Sequence, residues 1–284
     1  MQGKRTRWWS SILGTATALV LVGIAPAGLA TSRITLSESG AGRVSTDGDW
    51  VYREYQTALV GSKQREYRGR RTSDGGCRYS GGETIAADAV GTWIEREVAH
   101  NLGACRLITE TGRPLEPEPA VDGTDSLEFV PEPTATAESQ APSSQVGSIV
   151  AQAASTKSAW HKTYFEDPVF IDVNSAKTFV TWTYNGSCVT SSSGHKAQYG
   201  WYTPTGWRLD WQNFSSSRNC SGAISTSNSH FSNGAFCATI DTHTEYVPNK
   251  IRGNPSGSYS LWWDANKWGG CNWLLAFKHS WGSS

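Results

Sequence analysis

None of the short motifs that most directly declare an enzyme occurs in these 284 residues. There is no G-x-S-x-G elbow, no H-E-x-x-H, no phosphate-cradling Walker loop and no G-x-G-x-x-G. No two cysteines stand as C-x-x-C, which argues against a zinc ribbon or a dithiol redox centre. No apolar run reaches the about 20 residues that a membrane-spanning helix needs. An excess of one charge is missing too: 25 basic residues face 25 acidic ones. The first 30 residues hold three of the bases and no acid, which leaves 22 against 25 beyond them. That balance gives no general attraction to nucleic acid or to anionic membranes.

What is present begins with a leader pattern. Lys4, Arg5 and Arg7 precede an apolar run from Ile12 to Ala25, and small residues follow from Pro26 to Ala30. A charged start, a short apolar middle and a small-residue exit read as a secretory signal peptide over 1–30. The expected mature chain is secreted and keeps no stable membrane span. The six cysteines, Cys77, Cys105, Cys188, Cys220, Cys237 and Cys271, are even in number and widely spaced. In an exported chain that pattern reads as disulfides.

Composition then divides the chain. Residues 113–148 hold six of the eleven prolines and seven carboxylates, with Arg113 the only base. Such a stretch lacks the apolar residues for a core, and 113–155 reads as an extended, disordered linker. It separates a small β-rich domain, 31–112, from an aromatic-rich all-β domain, 156–284. In the first, "WVYREYQTALV" and "GTWIEREVA" alternate as half-buried strands do. Its two cysteines pair with each other by elimination. The basic run "REYRGRR" is balanced, because 31–112 carries eleven acids and eleven bases, and it reads as a solvated loop. The stretch "REVAHNLGACRLITETG" (96–112) resembles a segment of uncharacterised two-domain secreted proteins of filamentous Gram-positive (actinobacterial) bacteria. The resemblance implies a strand, a Cys-Arg pair and a turn ahead of a second aromatic-rich domain, and it implies no activity.

The segment 156–284 carries ten of the fourteen tryptophans. Its short aromatic and β-branched runs, broken by "NG", "SG", "TG" and "NP", predict an antiparallel β-sandwich or barrel. Side chains alternate across a strand, so parity separates core from surface. In "GWRLDW", Trp207, Leu209 and Trp211 are expected inside, with Arg208 and Asp210 outside. "TPTG" (203–206) reads as the turn of a hairpin whose first arm carries Tyr199 and Trp201. A meander of 178–188, 196–203 and 206–214 brings Cys188 and Cys220 to one end. That favours Cys188–Cys220 with Cys237–Cys271 among the three possible pairings.

Several aromatic residues do not fit that core. Trp262 and Trp263 are adjacent, Trp268 stands in the loop-like "DANKWGGC", and Tyr202 shares a parity with Arg208 and Asp210. Flat rings beside planar polar groups suit the apolar faces and hydroxyls of a sugar, and rings of this kind also anchor protein interfaces. Tyr202, Arg208, Trp262, Trp263 and Trp268 are therefore the candidate ligand-binding residues. "DTHTE" supplies a catalytic alternative: Asp241, His243 and Glu245 at i, i+2 and i+4 project from one face of a strand, with Asp210 as a further carboxylate. His161, His195 and His279 look isolated. The favoured reading is a secreted, non-enzymatic binding protein, without cofactor or metal, for an extracellular polysaccharide or cell-wall polymer. A secreted hydrolase using the Asp/His/Glu strand face, and a protein-interaction or structural envelope component, are the alternatives.

Overall fold

Period-two patterns become strands almost throughout. The computed structural model describes residues 34–115, 128–130 and 154–284. The expected signal segment and the rest of the expected linker lie outside the described residues. The first piece contributes β1 (Ile34–Ser39), β2 (Gly42–Asp47), β3 (Trp50–Tyr55), β4 (Leu59–Arg68), β5 (Arg70–Arg71), β6 (Cys77–Ile85), β7 (Gly91–Asn101) and β8 (Arg106–Pro114). A short β9 (Glu128–Val130) follows, and then β10 (Ser155–Glu166), β11 (Asp172–Tyr184), β12 (Val189–Trp201) and β13 (Trp207–Asn219). The chain ends with β14 (Gly222–Asn233), β15 (Thr242–Gly253), β16 (Tyr259–Gly269) and β17 (Ala276–Ser283).

The protein is mainly β, and its strands form two antiparallel sheets packed face to face. Neighbours in the first sheet run β1-β2-β3-β7-β17-β10-β11-β12-β9, with β8 paired to β7 and β4 to β8. The second sheet runs β13-β14-β15-β16-β6-β5. The pieces expected as separate domains share both of them. From the first piece, β6 lies along β16, with Cys77 opposite Lys267 and Ile85 opposite Tyr259. Likewise β7 lies along β17, with Arg96 opposite Lys278 and Gly91 opposite Ser283. The described residues from Ile34 to Ser284 accordingly form one compact unit. The physical reason is edge pairing: without β6 and β7, one edge each of β16 and β17 would leave a row of backbone N–H and C=O groups unpaired. A compositional break in the chain does not reveal strand pairing across it.

The expected hairpin at "TPTG" is instead a crossover. β12 belongs to the first sheet and β13 to the second, joined by a single 3-10 turn, Thr203–Thr205, that ends at Gly206 in the left-handed region (φ 87°). The turn delivers Trp207 straight into the space between the sheets, where it is 2% exposed. Tyr199, Trp207, Phe231, Tyr246, Trp263 and Phe277 form one part of the core, and Val180, Trp182, Ile251, Tyr259, Leu261 and Trp281 form another. Asn249 sits between the sheets as a polar rivet. Its Nδ2 donates to the Ala176 carbonyl at 2.8 Å and its Oδ1 accepts from Thr163 Oγ1 at 3.0 Å. A buried amide satisfied in this way fixes how the sheets register against each other, whereas an unsatisfied one would destabilise them.

Three disulfides join Cys77–Cys105, Cys188–Cys220 and Cys237–Cys271, the pairings expected, although the meander that suggested the last two breaks after β12. They place the folded chain in oxidising surroundings. Among the described residues no helix is long and apolar enough to cross a membrane.

Candidate functional site

The outer face of the second sheet collects the polar and aromatic side chains that the core rejects. Alternation sends Phe231 of β14, Tyr246 of β15 and Trp263 of β16 inward, where each is buried. Their neighbours in parity, His230, His243, Glu245, Trp262, Asp264 and Trp268, point outward. At β13 the alternation breaks: a register shift between Leu209 and Trp211 leaves Leu209 opposite Phe231 but Trp211 opposite His230. This bulge admits one extra residue, Asp210, and turns Trp211 out of the core. Trp211 is 41% exposed, contrary to the parity expected for it.

Three side chains from three strands meet at the bulge. Asp210 Oδ2 lies 3.3 Å from His230 Nδ1, and His230 Nε2 lies 3.3 Å from His243 Nδ1. The other carboxylate oxygen, Oδ1, accepts from Ser232 Oγ at 2.9 Å and from Arg208 Nε at 3.1 Å. The Trp268 indole covers both imidazoles: it lies within 3° of the His230 plane and 12° of the His243 plane, with ring centroids 5.2 and 5.1 Å away. Burial pushes the His230 imidazole below its ordinary pKa, with Asp210 pulling the other way. Asp210, His230 and His243 each offer a metal-ligand type of atom within 4.8 Å of the others'.

The sequence-derived residues are distributed unevenly. Asp210 and His243 do come together, through His230, which sequence reading missed. The signal for His230 was the outward parity of "NSHF" on a strand, but its partners lie on other strands and are set only by register. Glu245 shares the outer face and is committed to Arg78, whose Nη2 lies 2.5 Å from Oε2 while Nη1 reaches Asp264 at 3.3 Å. Asp241 is not on the strand face. It precedes β15, and its carbonyl accepts the Gly270 amide at 3.1 Å, so "DTHTE" does not act as one triad.

Among the candidate rings, Trp262 is outward and 37% exposed, with Lys250 Nζ 4.8 Å from its ring centroid. Trp268 is on β16 rather than in a loop. Trp263 is 2% exposed, packed between Phe277 and Tyr67 with centroids 4.4 and 5.2 Å away, and offers nothing to a ligand. Tyr202 is half-buried at the crossover, where its amide donates to the Val173 carbonyl, and it is not part of the face. Arg208 is outward and exposed.

Two further features lie elsewhere. His161 and His279 are not isolated: His161 Nε2 is 3.3 Å from His279 Nδ1, and His279 Nε2 is 2.7 Å from Glu95 Oε2. All three are buried, so the chain is structural and closed to solutes. His195 is likewise engaged, with Ser225 and Ser192 each 2.8 Å away. A cleft of about 440 Å³ between β4, β6 and β7 is lined by Arg65, Glu83, Trp93 and Trp281 among others. Trp281 is 2% exposed there and presents no ring face.

Comparison of the chain with known protein families, with curated proteins and with solved structures finds no match.

Proposed function

We propose that this protein is an exported, non-enzymatic binding protein that takes an extracellular polysaccharide or cell-wall polymer on the outer face of its second sheet. The observation that carries this reading is the placement of Trp211, Trp268 and Trp262 on one sheet face. Trp211 and Trp262 stand 41% and 37% exposed, interleaved with Arg208, Asp210, the two imidazoles and the Arg78–Glu245–Asp264 network. Rings that lie along a sheet supply apolar contact area at little cost in side-chain entropy, and the planar polar groups beside them supply hydroxyl partners. Trp262 and Trp268 stand six positions apart on β16, about 20 Å of strand, which suits an extended polymer better than a small solute. The leader pattern of 1–30 and the three disulfides support export.

A hydrolase built on Asp241, His243 and Glu245 with Asp210 has less support, because Asp241 is off the face and Glu245 is held by Arg78. Glycoside hydrolysis also asks for two carboxylates across a cleft, about 5–10 Å apart. Here Asp210 stands on an open face. The test is co-sedimentation of the full chain with insoluble polysaccharides. Retention on one polymer, lost in the Trp211→Ala, Trp262→Ala double variant with the fold intact, is the expected result. No retention on any polymer, or retention indifferent to both rings, would refute the proposal.

A further inference from the structure

The Asp210–His230–His243 cluster does more than decorate a binding face. His230 uses its two nitrogens for different partners. Nδ1 faces a carboxylate oxygen at 3.3 Å, and Nε2 faces a second imidazole nitrogen at 3.3 Å. A carboxylate on Nδ1 holds the proton there and leaves the lone pair on Nε2. Nε2 and His243 Nδ1 then stand 3.3 Å apart, a separation that one proton or one metal ion can bridge. Two nitrogens bound to one zinc at about 2.0–2.1 Å with tetrahedral angles stand about 3.3–3.4 Å apart, the separation found here. The surroundings match what tunes an imidazole ligand: Asp210 orients His230, and Ser232 and Arg208 in turn hold Asp210 through its other oxygen. The Trp268 indole stacks on both rings, and the Trp211 ring stands 6.2 Å from the His230 ring centroid.

We infer that His230 Nε2 and His243 Nδ1 bind a divalent transition metal of the zinc, nickel or copper(II) type, with Asp210 as the positioning carboxylate. Imidazole nitrogen with a carboxylate behind it selects these ions over magnesium or calcium, which take oxygen ligands. The placement is rigid. Asp210, His230 and His243 come from adjacent strands β13, β14 and β15, whose pairing continues on both sides of the cluster. The inference does not depend on what the aromatic face binds, since metal binding and polymer binding are read separately.

The experiment is isothermal titration of zinc chloride into the full chain, free of any affinity tag and first stripped with chelator, at neutral pH. One zinc per chain at micromolar affinity is expected. His230→Ala and His243→Ala each weaken binding by at least tenfold. Asp210→Ala weakens it by about tenfold, the usual cost of removing a carboxylate behind a ligating imidazole. Asp241→Asn, close in sequence but off the face, leaves it unchanged. Copper(II) quenches a component of tryptophan emission that disappears in Trp268→Phe, a readout that a merely structural pair of histidines would not give. Near-ultraviolet circular dichroism establishes that each variant is folded. Absence of micromolar binding in the wild-type chain, or binding that survives in the folded His230→Ala, His243→Ala double variant, overturns the inference.

Discussion

Trp211 stands directly across the strand pair from His230, not inside with Trp207 and Leu209. One extra residue at the β13 bulge moves a tryptophan from the core to the surface and at the same time aims Asp210 at His230. Trp207 and Trp211 therefore carry different roles four positions apart. Trp207→Ala opens a cavity between the sheets and should cost about 3–5 kcal/mol. Trp211→Ala should cost less than about 1 kcal/mol. Urea denaturation monitored by far-ultraviolet circular dichroism checks both, and equal losses would contradict the assigned faces.

Gly81 sets how closely β6 approaches the core rings. A Cβ built there would stand 2.6 Å from the Trp263 indole, which lies flat across the strand. Gly81→Ala should destabilise by about 1–3 kcal/mol through overpacking. Gly40→Ala, where a Cβ meets nothing within 4 Å, should be close to neutral. The difference between the two denaturation midpoints is the measurement.

The shared sheets predict that the C-terminal piece does not fold alone. A fragment of residues 154–284 exposes the edges of β16 and β17 that β6 and β7 now cover. It should aggregate or show a collapsed, ring-disordered near-ultraviolet spectrum, and adding residues 34–115 within the same chain should restore the native spectrum. A monomeric, cooperatively unfolding fragment would contradict this.

Stability should fall as the solution is made acid, in two stages. Burial holds His161 well below the ordinary histidine pKa, with His279 adding to the effect. Its unfolded counterpart titrates near about 6.5. The unfolded chain therefore binds more protons below that pH, and stability declines as pH falls through it. At Glu95, burial pushes the carboxyl up, but the charge and hydrogen bond of His279 and the Thr109 hydroxyl outweigh it and hold the pKa at about 2. That contribution is present above the unfolded carboxylate pKa and is lost as pH falls from about 4.5 toward 2. Thermal midpoints at pH 7, 5 and 3 should decrease in that order. A midpoint that does not drop between pH 7 and pH 5 would contradict the neutral, buried state of His161.

The legible part of this molecule was local, and the hidden part depended on pairing between distant strands. Alternation in "GWRLDW" placed Trp207 inside correctly, and Cys188–Cys220 followed from where strands end. The bulge after Leu209 left no mark in "GWRLDW", so parity misassigned Trp211. Trp268 looked like a loop residue because "DANKWGGC" is polar and glycine-rich, yet its strand is completed by β6, from the other side of a Pro-rich break. His230 escaped notice for the same reason: its ring matters only through Asp210, His243 and Trp268, each on another strand.

The central claim is that ligand contact falls on the outer rings of the second sheet, and the indole N–H resonances test it ring by ring. In a two-dimensional nitrogen–proton spectrum of the full chain with metal chelated, soluble glycans and cell-wall fragments are titrated in turn. The account predicts that one class shifts the Trp211, Trp262 and Trp268 indole signals while those of Trp182, Trp207, Trp263 and Trp281 stay in place. Shifts confined to Trp93 and Trp281, or no shift with any polymer, would contradict it.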